Sequence, residues 1–124
     1  MPEPAQSTDI VNRLFGAVDR RDLEAYLNCF TADAEYKAGN FPPVFGHAAI
    51  AEFGSRMIPL FTKVLHNVQN VWRSDNIVIC ELELTYHRKD GKIVMIPCLD
   101  VLRLEGDKVK SLRAYLDATP AFAS

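Results

Sequence analysis

Apolar positions along this chain change period partway through. From Asp9 to Asp19, the residues Ile10, Leu14, Ala17 and Val18 recur at helical spacing and mark one buried face. Ser7 or Thr8 can cap that helix, because a hydroxyl accepts one of the amide protons left unpaired in a first turn. Residues 1–7 therefore read as a flexible tail and residues 8–124 as a single domain. Asp22 opens a second, shorter helix with Leu23, Tyr26, Leu27 and Phe30 as its stripe, and the segment from Thr31 to Tyr36 turns into a first strand. Pro42-Pro43 supply no amide donors, so Gly39 to Gly46 reads as a loop. A third helix follows from about His47, with Ile50, Phe53, Met57 and Leu60/Phe61 facing the core, and Pro59 predicts a kink or an early end.

Beyond His66 the period shortens to that of strands. Four runs, His66 to Arg73, Ile77 to Arg88, Lys92 to Leu104 and Val109 to Leu116, are separated by Ser74-Asp75-Asn76, Lys89-Asp90-Gly91 and Glu105-Gly106-Asp107, all rich in turn formers. Helices first and a strand meander second predict an α+β fold, with helices on one face of a curved antiparallel sheet. The third run is apolar on both sides. Val94, Ile96, Cys98, Leu102 and Leu104 share a face with Asp100, whereas Ile93, Met95, Leu99 and Val101 take the other. A strand apolar on both faces is covered on both. Helices cover one; a second copy of the chain is the simplest cover for the other, so the pattern predicts a homodimer, with burial inside a larger monomeric core as the alternative.

Composition narrows the partners. The 124 residues are 48% hydrophobic and 24% charged, with a net charge of -2, an ordinary globular mixture with no basic run to neutralise phosphates. Nucleic acid is excluded as a partner. No apolar run approaches the roughly 20 residues that cross a bilayer, and the start of the chain lacks the basic and apolar regions of a secretion signal. No membrane partner is expected. Cys29, Cys80 and Cys98 lie among apolar residues without paired spacing and read as buried free thiols, which places the chain in the cytoplasm. His47, His66 and His87 are too far apart in sequence to suggest a metal site, and no glycine-rich phosphate loop is present, so neither metal nor cofactor is expected.

Asp100 is the most informative single residue. An acid in mid-strand between Cys98 and Leu102 on its own face must be desolvated, which raises a carboxyl pKa. A carboxyl so tuned can exchange a proton or donate to an oxyanion. Its other reading is a buried acid satisfied by Arg113 or by backbone donors. Tyr36 can position a ligand or a water through its phenol, or serve as a core aromatic. Glu81 and Glu83 share a face opposite Val78, Cys80, Leu82, Leu84 and Tyr86 and are expected in solvent. His66 and His87 read as exposed or capping, with a proton-shuttling pocket histidine as the alternative, and Arg113 as an outer-face residue pairing across subunits or with Asp117.

Several strings in order, Asp22-Leu23-Glu24 through Phe30-Thr31-Ala32-Asp33-Ala34, Gly46-His47-Ala48-Ala49-Ile50, and Gly106 through Asp117, resemble the SnoaL-like polyketide cyclase and ketosteroid isomerase group. The likeness spans Asp9 to Asp117, and the strand opening His66-Asn67-Val68-Gln69-Asn70 adds to it. It implies the cone-shaped nuclear transport factor 2-like fold: N-terminal helices packed on a strongly curved, mixed, mostly antiparallel sheet around a cavity, usually dimeric through the sheet's outer face. Cys98 to Leu104 and Ser111 to Ala114 are similar to isomerase strands, with Asp100 at that enzyme's oxyanion-hole aspartic acid. The isomerase's oxyanion tyrosine falls on Leu14 and its general-base aspartate on Ala38, neither of which handles a proton.

The loop from Tyr36 to Gly46 also resembles limonene epoxide hydrolase, with Tyr36 at the tyrosine that positions water and Ala38 in place of its asparagine partner. That enzyme's final-strand aspartate falls on Ala114 and its Arg/Asp pair on Glu81/Glu83, so its mechanism does not carry over. What remains is a pocket for a small hydrophobic or polycyclic molecule. Leu14, Val18, Phe53, Met57, Tyr86, Cys98, Leu102, Ala114 and Leu116 are expected on its walls, with Asp100 and Tyr36 as the catalytic candidates. The chemistry is of isomerase, cyclase, lyase or hydrolase type; a non-catalytic ligand-binding or dimerisation module is the alternative.

Overall fold

A computed structural model describes residues 4–123. Helix α1 (Pro4–Asp19) leads through a tight corner into α2 (Leu23–Leu27), then strand β1 (Phe30–Ala38), the short β2 (Val44–Phe45) and α3 (Gly46–Met57). Four long strands follow, β3 (Phe61–Ser74), β4 (Ile77–Arg88), β5 (Ile93–Glu105) and β6 (Lys108–Tyr115), and a single turn of helix, α4 (Thr119–Phe122), ends the fold. The α+β class and the mixed, mostly antiparallel sheet are as the sequence predicts. The strands lie in the order β2-β1-β6-β5-β4-β3, and among the described residues only β1 and β6 run parallel.

Element boundaries follow local chemistry. The periodicity starts α1 at Asp9, yet the helix begins at Pro4, a residue tolerated in a first turn because its missing amide has no partner there anyway. The expected tail of residues 1–7 is thus helical from Pro4, and residues 1–3 lie outside the described residues. Asp22 caps α2 by accepting from the Ala25 amide at 3.1 Å. Phe30, assigned to the helical stripe by spacing, instead begins β1 and is buried there. Helix α3 ends at Met57, and Pro59 sits in a 3-10 turn (Ile58–Leu60), the early end its proline predicts. The strand after it begins at Phe61, five residues before the apolar alternation becomes readable, so His66 lies inside β3.

The inner face of the sheet and the helices enclose the core. Helix α1 crosses β3 and α3 lies on β1. Leu14, Ile50, Leu82, Leu102 and Val109 are among its fully buried side chains. Register shifts between Val68 and Asn70 in β3 and between Arg103 and Leu104 in β5 are irregularities of the kind that bends strands and increases their twist. In β5 the predicted alternation holds: Ile96, Cys98, Asp100, Leu102 and Leu104 are buried, whereas Ile93 and Met95 are 59% and 61% exposed. No helix among the described residues is long and apolar enough to cross a membrane.

Candidate functional site

Between the helices and the concave face lies a cavity of about 500 Å³, within the range of small-molecule sites. Val18, Phe53, Met57, Tyr86, Cys98, Ala114 and Leu116 stand on its walls, together with Asp100 and Tyr36. Leu14 and Leu102 do not. Both are completely buried in the main core, Leu14 on the stripe of α1 that packs against the sheet, so their expected place on the wall is corrected. Phe15 and Val18, elsewhere on the same helix, reach the cavity instead.

Asp100 is 4% exposed and opens onto this space. Its one protein hydrogen bond among the described residues comes from the Cys98 thiol, 3.2 Å from Oδ1. Burial pushes the carboxyl up to about 6, while the Cys98 contact and nearby His66 act in the opposite direction. Arg113 does not pair with it. That guanidinium binds Glu35 through two contacts of 3.1 and 2.8 Å, and not Asp117, so the expected pairing with Asp117 is corrected. Glu81 is exposed and Glu83 half-buried, opposite Leu99 and Pro97 of β5 on the outer face, so neither enters the cavity.

The phenols are held neutral. Burial raises Tyr86 to about 12, and raises Tyr36 further, with nearby Asp100 adding to the effect. Tyr26, missed as a site residue because its spacing fits a core stripe, joins the same wall; burial and the Tyr36 phenol raise it well above the usual value. Tyr36 packs against Phe53 with ring centres 5.5 Å apart. The thiols are protonated too. Burial lifts Cys80 to about 12 and Cys98 higher, with Asp100 as the second cause in each case, so Cys98 is a weak donor and a poor nucleophile. All three cysteines are free and buried.

For His66 the structure favours the alternative reading, a histidine in the pocket. It lines the cavity rather than capping or meeting solvent. Asp19, the last residue of α1, grips it twice: Oδ1 lies 2.6 Å from the ring Nδ1 and Oδ2 accepts from the backbone amide at 3.0 Å. Phe15 stacks on the ring at 4.6 Å with planes 13° apart. With Asp19 bound at Nδ1, the imidazole is held in orientation and Nε2 is the ring nitrogen that this pair leaves open. Nε2 of this ring has no protein partner among the described residues. The partners are 47 positions apart in sequence, and no local pattern joins them. His47, by contrast, is tied to the Phe30 carbonyl at 3.0 Å, a structural role.

Solved structures share this architecture. A SnoaL-like protein from Jannaschia sp. CCS1, described as a polyketide cyclase, superimposes with a TM-score of 0.84 at 18% identity, covering 98% of this chain and 94% of that one. A hypothetical protein with a ketosteroid isomerase-like fold from Catenulispora acidiphila, in complex with trimethylamine, gives a TM-score of 0.81 at 21% identity over 86% and 84% of the two chains. TerC, co-crystallized with polyporic acid, gives 0.83 at 16% identity over 94% and 95%. At these identities the likeness is one of fold. A search among curated proteins gives no match. The model of the SnoaL-like domain matches residues 11–112, most of the chain, and the protein belongs to that family.

Proposed function

We propose that the chain is a cofactor-independent acid–base enzyme acting on a small hydrophobic or polycyclic molecule held in the cavity, by chemistry of isomerase, cyclase, lyase or hydrolase type. The observation that carries this reading is Asp100: a carboxyl 4% exposed, facing a largely apolar cavity, with a single thiol as its protein partner among the described residues. A carboxyl brought to about 6 exchanges protons readily near neutral pH, where general acid–base groups work best. Tyr36, a neutral phenol on the same wall, positions the reacting oxygen. The Asp19–His66 pair supplies a second proton-handling group, with Asp19 acting through the ring it holds. Two such groups in one cavity let one withdraw a proton while the other supplies one. Relatives of this fold hold small molecules, trimethylamine and polyporic acid among them.

The exposed apolar row of Ile93, Met95 and Leu99, with partly buried Val101, supports a homodimer packed through the outer face. Three buried free thiols agree with a reducing, cytoplasmic setting. A non-catalytic ligand-binding or dimerisation module on the same cone is the competing reading. Proton abstraction at carbon separates the two for isomerase, cyclase and lyase chemistry, and hydrolytic turnover does so for a hydrolase. Polycyclic ketones and phenols that raise the melting temperature are incubated with the protein in D2O, and deuterium at carbon is followed by mass spectrometry. The enzyme reading expects incorporation that falls sharply in Asp100→Asn and in His66→Gln. Ligands that bind tightly yet show neither exchange nor turnover would establish the binding module instead.

A further inference from the structure

The corner between α1 and α2 carries an arginine where backbone chemistry asks for glycine. The Arg21 amide donates to the Val18 carbonyl at 3.0 Å and the Asp22 amide to the Ala17 carbonyl at 2.9 Å, the paired bonds of a Schellman ending. That ending puts Arg21 at φ 60, the left-handed region in which a Cβ crowds its own backbone and which glycine enters freely. An L side chain held in such a conformation is a signal to ask what the side chain does.

What it does is reach the cavity. Arg21 is exposed yet lines the space, together with Asn40, Phe41, Asp117 and Phe122, exposed members of the lining that mark its mouth. Nη2 donates to the Phe61 carbonyl at 2.6 Å, where the 3-10 turn passes into β3, and this tether fixes the direction of the guanidinium. The tether uses one of its five N–H groups. Among the described residues no carboxylate lies within 4 Å of it, whereas Arg13, Arg20, Arg88 and Arg113 each have one. Among the same residues, no other lysine or arginine lines the cavity. Asp117, the acid at the mouth, is already engaged with the Thr119 amide at 3.0 Å.

We propose that Arg21 is an anion anchor at the mouth of the cavity, and that the ligand is an amphiphile with an apolar ring or chain body and one carboxylate or sulfonate group. The body fills the apolar interior; the oxyanion takes the free fork of the guanidinium. The inference rests on the cavity as a ligand site, and not on catalysis. A single charge suits the mouth, because Asp117 stands there as a fixed negative group.

Two fluorescent probes of similar aromatic body test it: 8-anilinonaphthalene-1-sulfonate, which is anionic, and N-phenyl-1-naphthylamine, which is neutral. Both are titrated into the full chain as wild type, Arg21→Gly and Arg21→Lys. Glycine suits this corner, so Arg21→Gly is expected to melt no lower than wild type. It should bind the sulfonate about three- to tenfold more weakly, the scale of one partly exposed charged contact, and the neutral probe within about twofold of wild type. Lysine should keep part of the difference, as a point charge without the fork. Raising salt from about 0.05 to 0.5 M should weaken the sulfonate on wild type and hardly affect it on Arg21→Gly. Equal sulfonate affinity in wild type and Arg21→Gly, or a parallel loss of both probes, would overturn the anchor and leave the arginine a structural tether. Failure of the neutral probe to bind wild type would overturn the cavity reading itself, and the anchor with it.

Discussion

Two carboxylates on strands of the same sheet have opposite fates. Asp100 of β5 points to the concave side, meets apolar walls and one thiol, and is pushed up to about 6 by burial. Glu35 of β1 points to the convex side, accepts from Arg113 and Ser111, and is held below the usual carboxylate range, mainly by its bond to Arg113. The sheet sorts these two acids by face: the outer one is paired, and the inner one is left short of partners. A structural acid acquires donors. An acid kept from them in a cavity is available to something that enters it.

The largest expected effect tests the inner side. Asp100→Asn keeps the shape of the side chain but cannot exchange a proton, so turnover of a substrate should fall about 10²–10⁴-fold, with ligand affinity changed little. Tyr36→Phe, which removes a positioning hydroxyl, should cost less. Full activity in Asp100→Asn would make that acid structural and leave His66 as the group to pursue.

The same substitution should stabilise the fold, and only above a certain pH. Below about pH 3 the carboxyl is protonated in both folded and unfolded chains. As pH rises towards 6, the unfolded chain releases its proton first, so wild-type stability falls and remains lower above about 6. The rise from 3.8 to about 6 corresponds to roughly 3 kcal/mol. Urea midpoints should therefore favour Asp100→Asn by up to that amount near pH 7.5 and by nothing near pH 2.5. A pH-independent difference would mean that Asp100 is not desolvated in solution.

The outer side is broken by charge of a different kind. Met95→Asp places a carboxylate in the exposed apolar row of β5, and the dissociation constant of the proposed dimer should rise by at least about tenfold, read by sedimentation at micromolar concentration. A wild type that sediments as a monomer there would remove the two-fold interface. Smallest is Glu35→Gln. A carboxyl held low contributes stability above its unfolded value and loses it as pH falls through the folded one, so this variant should be slightly weaker at neutral pH and level with wild type in acid. A larger loss than Asp100→Asn gains would reverse the ranking of the two faces.

The contrast between faces is readable in the sequence, because a strand's period of two is short and β5 obeys it from Ile93 to Leu104. The fold is legible for the same reason, with turn residues marking the ends of each long strand. The site is legible only in part. Leu14 and Val18 share one helical stripe, but a helix touching both core and cavity divides its apolar face between them, and spacing does not say where the division falls. His66 looks peripheral in sequence because the start of β3, through Thr62 and Lys63, lacks a clean alternation, and because its partner arrives from the far end of α1. Arg21 carries no pattern at all; its meaning comes from a backbone angle.

The parallel pairing of β1 with β6 also governs how the chain must be made. Phe30 lies opposite Val109, and Ala38 opposite Ala114. Among the described residues, the one long strand partner of β1 is almost eighty residues further along the chain. The meander from β3 to β6 can zip by successive hairpins, but β1 has no long edge to join until β6 exists. Closure of the cone is therefore a late, high-separation event of the kind that slows folding and leaves apolar surface open to chaperones in the interval.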